Sequence, residues 1–228
     1  MKRLISFLLF LLWGTSASAF PYVIDTFVNG AEMAGMEVTV YFGNGTSETV
    51  TWSATGAESG AAIGSDWSLS QSGDTLNQPG VLPAWTLSNL TGFTITRFTI
   101  DAWVAKVFFD VMLESVPDSV GTPGSGQGRP FTDDGTLNII TTWDIYGGSA
   151  TPQQSAENTP HVTYLNNLYG APDLFGGLDV VLGSTGLASN SSFRFVIDTD
   201  QVSEPPLYGL LALGLAAGFY LRRRVAAA

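Results

Sequence analysis

The chain has 228 residues, a formal charge of −11, 26 glycines, 11 prolines and no cysteine. This length suits one globular domain with short appendages, and 45% hydrophobic residues exclude a wholly disordered chain. Four basic and all twenty acidic residues lie in 20–204, so that segment carries 4 − 20 = −16. Such a charge repels nucleic acid and anionic lipid headgroups, and leaves cations, neutral sugars and basic proteins as easier partners.

The first residues, MKRLISFLLFLLWGTSASAF, have the order of a secretory signal peptide. Two basic residues precede an apolar run, and Ala17 and Ala19 form a small-x-small cleavage site. The alternative is an uncleaved membrane anchor, but a helix of about ten apolar residues spans roughly 15 Å, half of a hydrocarbon core of about 30 Å. We therefore predict a signal peptide over 1–19 and a mature protein that begins at Phe20. Export without cysteine favours a bacterial source.

Short alternating apolar runs follow, separated by Gly, Ser, Asn, Asp and Pro, and this pattern predicts an all-β domain. The runs 36–42 and 48–55 flank Gly-Asn-Gly and should pair as a hairpin. In 93–101 the apolar phase slips, which predicts a bulge near Thr96 and Arg97. The further candidate strands are 84–88, 103–113, 137–146, 161–165, 174–182 and 192–198.

Nine to ten short strands over 20–201 favour a single β-sandwich of the jelly-roll or immunoglobulin-like kind, with a barrel as the alternative. Two stretches, 115–135 and 146–160, have the length and composition of surface loops. Binding residues are common in such loops.

The residues that catalysis requires are few. Without cysteine, thiol catalysis and thiolate zinc sites are excluded. His161 is the only histidine, and it stands at the entry to a predicted strand, where it is either an ordinary surface residue or a ligand or base. No Gly-x-Ser-x-Gly elbow supports a serine hydrolase, and the glycine-rich 121–128 lacks the Gly-Lys-Ser/Thr ending of a phosphate loop.

Asp198 and Asp200, in the stretch Ile-Asp-Thr-Asp-Gln, are the candidates for a calcium site. Carboxylate oxygens at this spacing can serve Ca²⁺, which needs six to eight oxygen ligands. Asp133, Asp134 and Asp173 could join only if the fold brings them together. The alternative is that both carboxylates face solvent at the end of the last strand.

The six tryptophans suggest a sugar-binding alternative, because exposed aromatic faces stack on pyranose rings. Trp52 and Trp143 occupy core-phase positions in their predicted strands. Trp67, Trp85 and Trp103 are undecided, and they are the candidates for glycan binding.

The chain ends in an apolar stretch, 207–221, followed by Arg222, Arg223 and Arg224. As a helix this stretch spans about 22 Å, a short membrane span that needs snorkelling arginines or a thinned bilayer. The arginines would stay cytoplasmic by the positive-inside rule, with the β-domain outside. A core helix is disfavoured because the stretch is apolar all round.

The segment 202–228 resembles the PEP-CTERM sorting signal of Gram-negative bacteria. Val202, Glu204 and Pro205 match its usual Val-Pro-Glu-Pro motif, with Ser203 in place of the first proline, and the short helix and arginine cluster follow in order. The stretches AWTLSNLTGFTITRFTIDA, GTPGSGQGRPF, DLFGGLDVVL and FRFVIDTD resemble the extracellular domain found in many such proteins.

This resemblance implies how the protein is exported and processed. It implies export by the Sec route, transient retention in the inner membrane by the C-terminal helix, and recognition by an exosortase that cleaves near Glu-Pro. The product would pass to the cell surface or to the exopolysaccharide matrix of a biofilm. The sequence therefore favours a non-enzymatic surface or matrix protein, with a carbohydrate-binding module and a secreted hydrolase as alternatives.

Overall fold

Two antiparallel sheets make up the fold in a computed structural model that describes residues 23–25, 28–75, 85–111, 131–134, 137, 160–168, 174–183 and 185–203. The strands are β1 (Val23–Asp25), β2 (Glu37–Phe42), β3 (Ser47–Thr51), β4 (Ser53–Ala54), β5 (Ser59–Ile63), β6 (Trp67–Ser72), β7 (Trp85–Asn89), β8 (Ile95–Asp101), β9 (Val107–Asp110), β10 (Thr132–Asp133), β11 (His161–Asn167), β12 (Leu174–Val181), β13 (Ser191–Val196) and β14 (Asp198–Ser203). The all-β prediction is confirmed.

The first sheet contains eight strands, in the order β1-β14-β9-β12-β8-β2-β3, with β11 also paired to β12. The second contains six strands, in the order β10-β13-β7-β6-β5-β4. Their inner faces share one hydrophobic core, as expected for a β-sandwich. Residues Ile24–Ser203 form one compact unit.

Aromatic rings fill the centre of this core. Phe195 of β13 stacks on Phe131 at 4.7 Å between ring centroids and on Trp85 at 5.6 Å. Trp52 lies 5.4 Å from Trp85, and its Nε1 donates a hydrogen bond to Gly30 O at 2.8 Å. The indole N–H is therefore satisfied at full burial, and the core-phase prediction for Trp52 is confirmed.

Local signals in the sequence predicted the first hairpin and the bulge. β2 and β3 pair around Gly43 to Gly45, and Gly45 has φ of 85°, which favours glycine. β2 pairs with β8 with a shift in register, because Tyr41 lies opposite Arg97 while Phe42 lies opposite Ile95. Thr96 is thus the extra residue, where the apolar phase slips.

Other element predictions need correction. The run 103–113 is not one strand, because a single turn of 3-10 helix, Trp103–Ala105, precedes β9. The run 192–198 ends at Val196, and a separate strand, β14, begins at Asp198. β5 and β6 were not predicted, since 59–72 is rich in Ser, Gly and Ala and its buried positions include Gln71.

Several predictions lie outside the described residues. These are the signal peptide with Ala17 and Ala19, the strand 137–146 beyond Leu137 with Trp143, most of the loops 115–135 and 146–160, Asp173, the Glu204-Pro205 pair, the helix 207–221 and the arginines 222–224. In the part of the chain that the structure does describe, no helix has the length and apolar character to cross a membrane.

Candidate functional site

A cluster of three buried aspartates lies where β14 pairs with β9. Asp110 ends β9, whose four residues are all buried, and Asp198 begins β14 directly opposite it. Asp200 is two residues further along β14, opposite Phe108, so it faces the same side of the sheet as Asp198. Asp110 and Phe108 alternate with the core residues Val107 and Phe109. The strand register therefore brings three carboxylates together on the side away from the main core.

The carboxylates are close and shielded from solvent. One oxygen from each aspartate lies within 4.8 Å of the other two. Relative exposure is 0% for Asp110 and Asp200 and 1% for Asp198. The alternative prediction that Asp198 and Asp200 face solvent is wrong, because the pairing with β9 buries both.

Asp198 is the member whose surroundings are best defined. Its Oδ1 accepts a hydrogen bond from Thr75 Oγ1 at 3.1 Å, and its Oδ2 accepts none from the described residues. Burial raises the pKa of Asp198 well above its usual range, and the neighbouring carboxylates of Asp200 and Asp110 raise it further. Three ionised carboxylates are costly in such a place unless protons, donors or a cation compensate their charge.

A hard cation fits this donor set. Calcium binds oxygen ligands at about 2.3–2.6 Å, so two oxygens on one ion are separated by at most about 5 Å. The three aspartates satisfy this limit. Among the described residues they are the only group of three or more acidic, histidine or cysteine side chains that does. Asp133 and Asp134 lie elsewhere, on and beside β10, where Asp134 Oδ2 accepts a hydrogen bond from Arg194 N at 3.1 Å.

Asp110 was not among the site residues predicted from the sequence. A signal was present, because a single aspartate closes the otherwise apolar run Val-Phe-Phe-Asp, and a charged residue is rarely fully buried without a partner. Nothing in the sequence, however, shows that β9 pairs with β14.

The tryptophan candidates for sugar stacking are placed differently from one another. Trp67 is 2% exposed, and its Nε1 donates to Glu48 Oε2 at 2.7 Å. Trp85 is fully buried and donates to Ile197 O at 3.2 Å. The prediction of sugar stacking is therefore wrong for both residues, because their rings pack in the core. Trp103 is half-buried, with Lys106 Nζ at 5.0 Å from its ring centroid.

A second polar feature is the side of the first sheet that faces away from the core across β3, β2, β8, β12 and β11. We call these fifteen positions, in three cross-strand rows, the outer face. The first row is Thr51, Glu37, Asp101, Gly177 and Leu165; the second is Thr49, Thr39, Thr99, Asp179 and Thr163; the third is Ser47, Tyr41, Arg97, Val181 and His161. The only histidine is thus half-buried at one corner, opposite Val181.

Comparisons with known proteins give no family for this chain. No protein-family model, no curated protein and no solved structure matches it.

Proposed function

We propose that the chain is an exported, non-enzymatic protein of the cell surface or exopolysaccharide matrix of a Gram-negative bacterium. The observation that carries the proposal is the order of the C-terminal segment: Val-Ser-Glu-Pro, a short apolar stretch and three arginines. In this proposal a Sec signal peptide directs export, the inner membrane holds the C-terminal helix, and an exosortase releases the domain. The domain itself would be a jelly-roll or immunoglobulin-like sandwich.

The end of the described chain supports this arrangement. β14 continues through Ser203, so the first two motif residues belong to the last strand. Val202 is buried, and its N–H donates to Lys106 O at 2.9 Å. Glu204 and Pro205 therefore follow a strand that is hydrogen-bonded into the sheet, which supports a cleavage site directly after the folded domain.

The C-terminus of the exported protein tests the sorting proposal. In cells with the exosortase, mass spectrometry of the surface form should find a sequence that starts at Phe20 and lacks Arg222 to Arg224. Cells without the exosortase should retain the arginines on a membrane-bound form. A surface form that still carries Arg222 to Arg224 would contradict the proposal.

We further propose that the aspartate cluster binds Ca²⁺. Asp110, Asp198 and Asp200 would supply three to six of the six to eight oxygens that calcium needs. Because two of these ligands belong to β14, the ion would hold the last strand on β9, immediately before the sorting motif. Burial of all three carboxylates supports a structural ion over a catalytic pair, since a polymeric substrate could not reach them.

Calcium should raise the thermal stability of the exported protein. A ligand at a hundredfold excess over its Kd adds about 2.7 kcal/mol to the free energy of unfolding. In a chain of this size, each added kcal/mol in the free energy of unfolding raises Tm by about 2–4 °C. The measurement is Tm in EDTA and in CaCl₂ at constant ionic strength.

Two variants test whether the calcium-dependent shift in Tm comes from the aspartate cluster. Asp198→Asn should abolish the calcium-dependent shift, whereas Asp66→Asn, on an exposed turn, should keep it. An equal shift in Asp198→Asn and the wild type, or no shift in the wild type, would overturn the calcium proposal.

A further inference from the structure

The outer face presents hydroxyl groups in register. Thr49, Thr39, Thr99 and Thr163 occupy four of the five positions in its middle row, and Asp179 the fifth. Adjacent strands are about 4.8 Å apart, so the row extends roughly 19 Å across the sheet. Thr39 and Thr49 share a hydrogen bond of 2.8 Å between their hydroxyls. The result is a long row of hydrogen-bonding groups on the outer face.

An unfavourable charge pair lies beside this row. Glu37 and Asp101 stand directly opposite each other on β2 and β8, and both are exposed. Like charges in directly opposite positions destabilise a sheet. Arg97, on the same strand as Asp101, cannot relieve them, because its Nε and Nη2 donate to the two oxygens of Asp179, each at 2.7 Å. In the described part of the chain this is the only salt bridge.

Arg97 is also fixed from its other side. Its guanidinium carbon lies 4.9 Å from the ring centroid of Tyr41, and the paired Asp179 raises its pKa. The third row is thus pre-organised, while the first row carries two carboxylates without an ion pair among the described residues. The segment 20–204 as a whole carries −16, so the surroundings of the face also favour a cation.

We propose that the outer face binds a polysaccharide that carries free amino groups. The carboxylates of Glu37 and Asp101 would pair with the ammonium groups, and the threonine row would exchange hydrogen bonds with the sugar hydroxyls. A basic protein would also pair with the carboxylates, but a polysaccharide offers repeated hydroxyl partners along the threonine row. The inference rests on the proposed function only in that the protein meets such a polymer outside the cell.

The test measures binding of the exported protein to soluble glucosamine oligomers. The comparison ligands are fully N-acetylated oligomers of the same length and polylysine of matched charge. We expect the glucosamine oligomers to bind most tightly and to weaken with salt. Glu37→Gln and Asp101→Asn should each weaken binding roughly two- to fivefold, the range for one exposed charge pair.

Two further variants separate specific binding from general attraction. Thr99→Val keeps the β-branched shape but removes a hydroxyl, and it should weaken glucosamine binding roughly two- to tenfold without affecting polylysine. Glu58→Gln removes an exposed charge next to the other sheet and should change neither. The proposal is overturned if the glucosamine oligomers do not bind, if the N-acetylated oligomers bind as tightly, or if Glu58→Gln weakens binding as much as Glu37→Gln.

The two proposals can fail separately. A protein that is processed correctly at its C-terminus but does not bind glucosamine oligomers overturns only the glycan inference. A protein that binds them but keeps Arg222 to Arg224 at the surface overturns only the sorting proposal.

Discussion

Trp85→Ala is expected to cost about 3–5 kcal/mol of the free energy of unfolding, the range for truncating a large buried aromatic residue. Trp85 is fully buried between Trp52 and Phe195, with ring centroids at 5.4 and 5.6 Å. The truncation leaves a cavity at the centre of the core, and it also removes the donor to Ile197 O. Urea unfolding of the exported protein, followed by fluorescence and circular dichroism, measures the loss.

Trp103→Ala is the matched control. Trp103 is half-buried, packs against a small second apolar cluster and contacts Lys106 through its ring face. Its truncation should cost clearly less than that of Trp85, because its ring already lies partly in solvent. Equal losses for the two variants would contradict the assignment of Trp85 to the centre of the core.

The fold class could be predicted from sequence because strand alternation is a local signal. Val38 and Val40 point inward and Glu37 and Thr39 outward, as their spacing indicates. The slip at Thr96 could be detected for the same reason. β5 was missed because burial there falls on Gly60, Ala61 and Ala62, which do not alternate. β6 has only two alternating apolar residues, Trp67 and Leu69, and its third buried position is the polar Gln71.

The candidate sites depend on information that local patterns do not contain. Asp110 and Asp198 are far apart in sequence and meet only through the register of β9 with β14. The hydroxyl row likewise needs the pairing of five strands, of which only β2 and β3 form a predictable hairpin. The roles of the tryptophans were ambiguous because tryptophan occurs both in hydrophobic cores and on sugar-binding surfaces. Only the burial seen in the structure separates the two roles.

Two of the buried aspartates lie on β14, the strand at which the described chain ends. Asp198, Asp200 and the start of the proposed sorting motif share β14, and the N–H of Val202 fixes that strand beside Lys106. We therefore expect protonation of the cluster, or calcium bound there as proposed, to change how firmly β14 is held on β9. The stability of β14 should depend on the ionisation of Asp198.

Calcium-free protein is expected to become more stable as the pH falls from 7.5 towards 5. The folded-state pKa of Asp198 lies well above its unfolded value, because of burial first and then of Asp200, Asp110 and Asp74. Between these two pKa values the folded chain binds more protons than the unfolded chain, so stability is greatest near the unfolded pKa and is lost as the pH rises through the folded pKa. One additional bound proton gives a slope of at most about 1.4 kcal/mol per pH unit.

Asp198→Asn isolates this contribution, because asparagine keeps the shape and an Oδ1 that can accept the Thr75 hydrogen bond but carries no charge. In EDTA at pH 7.5 the variant should be more stable than the wild type, since one of three buried carboxylates is gone. At pH 5 the advantage should shrink, because the extra proton that the wild-type carboxyl binds on folding costs less free energy at lower pH. Urea unfolding of both proteins at each pH gives the difference directly. A constant difference across this range would show that Asp198 binds no more protons in the folded than in the unfolded chain. A less stable variant at pH 7.5 would mean that the Asp198 charge stabilises the fold without calcium.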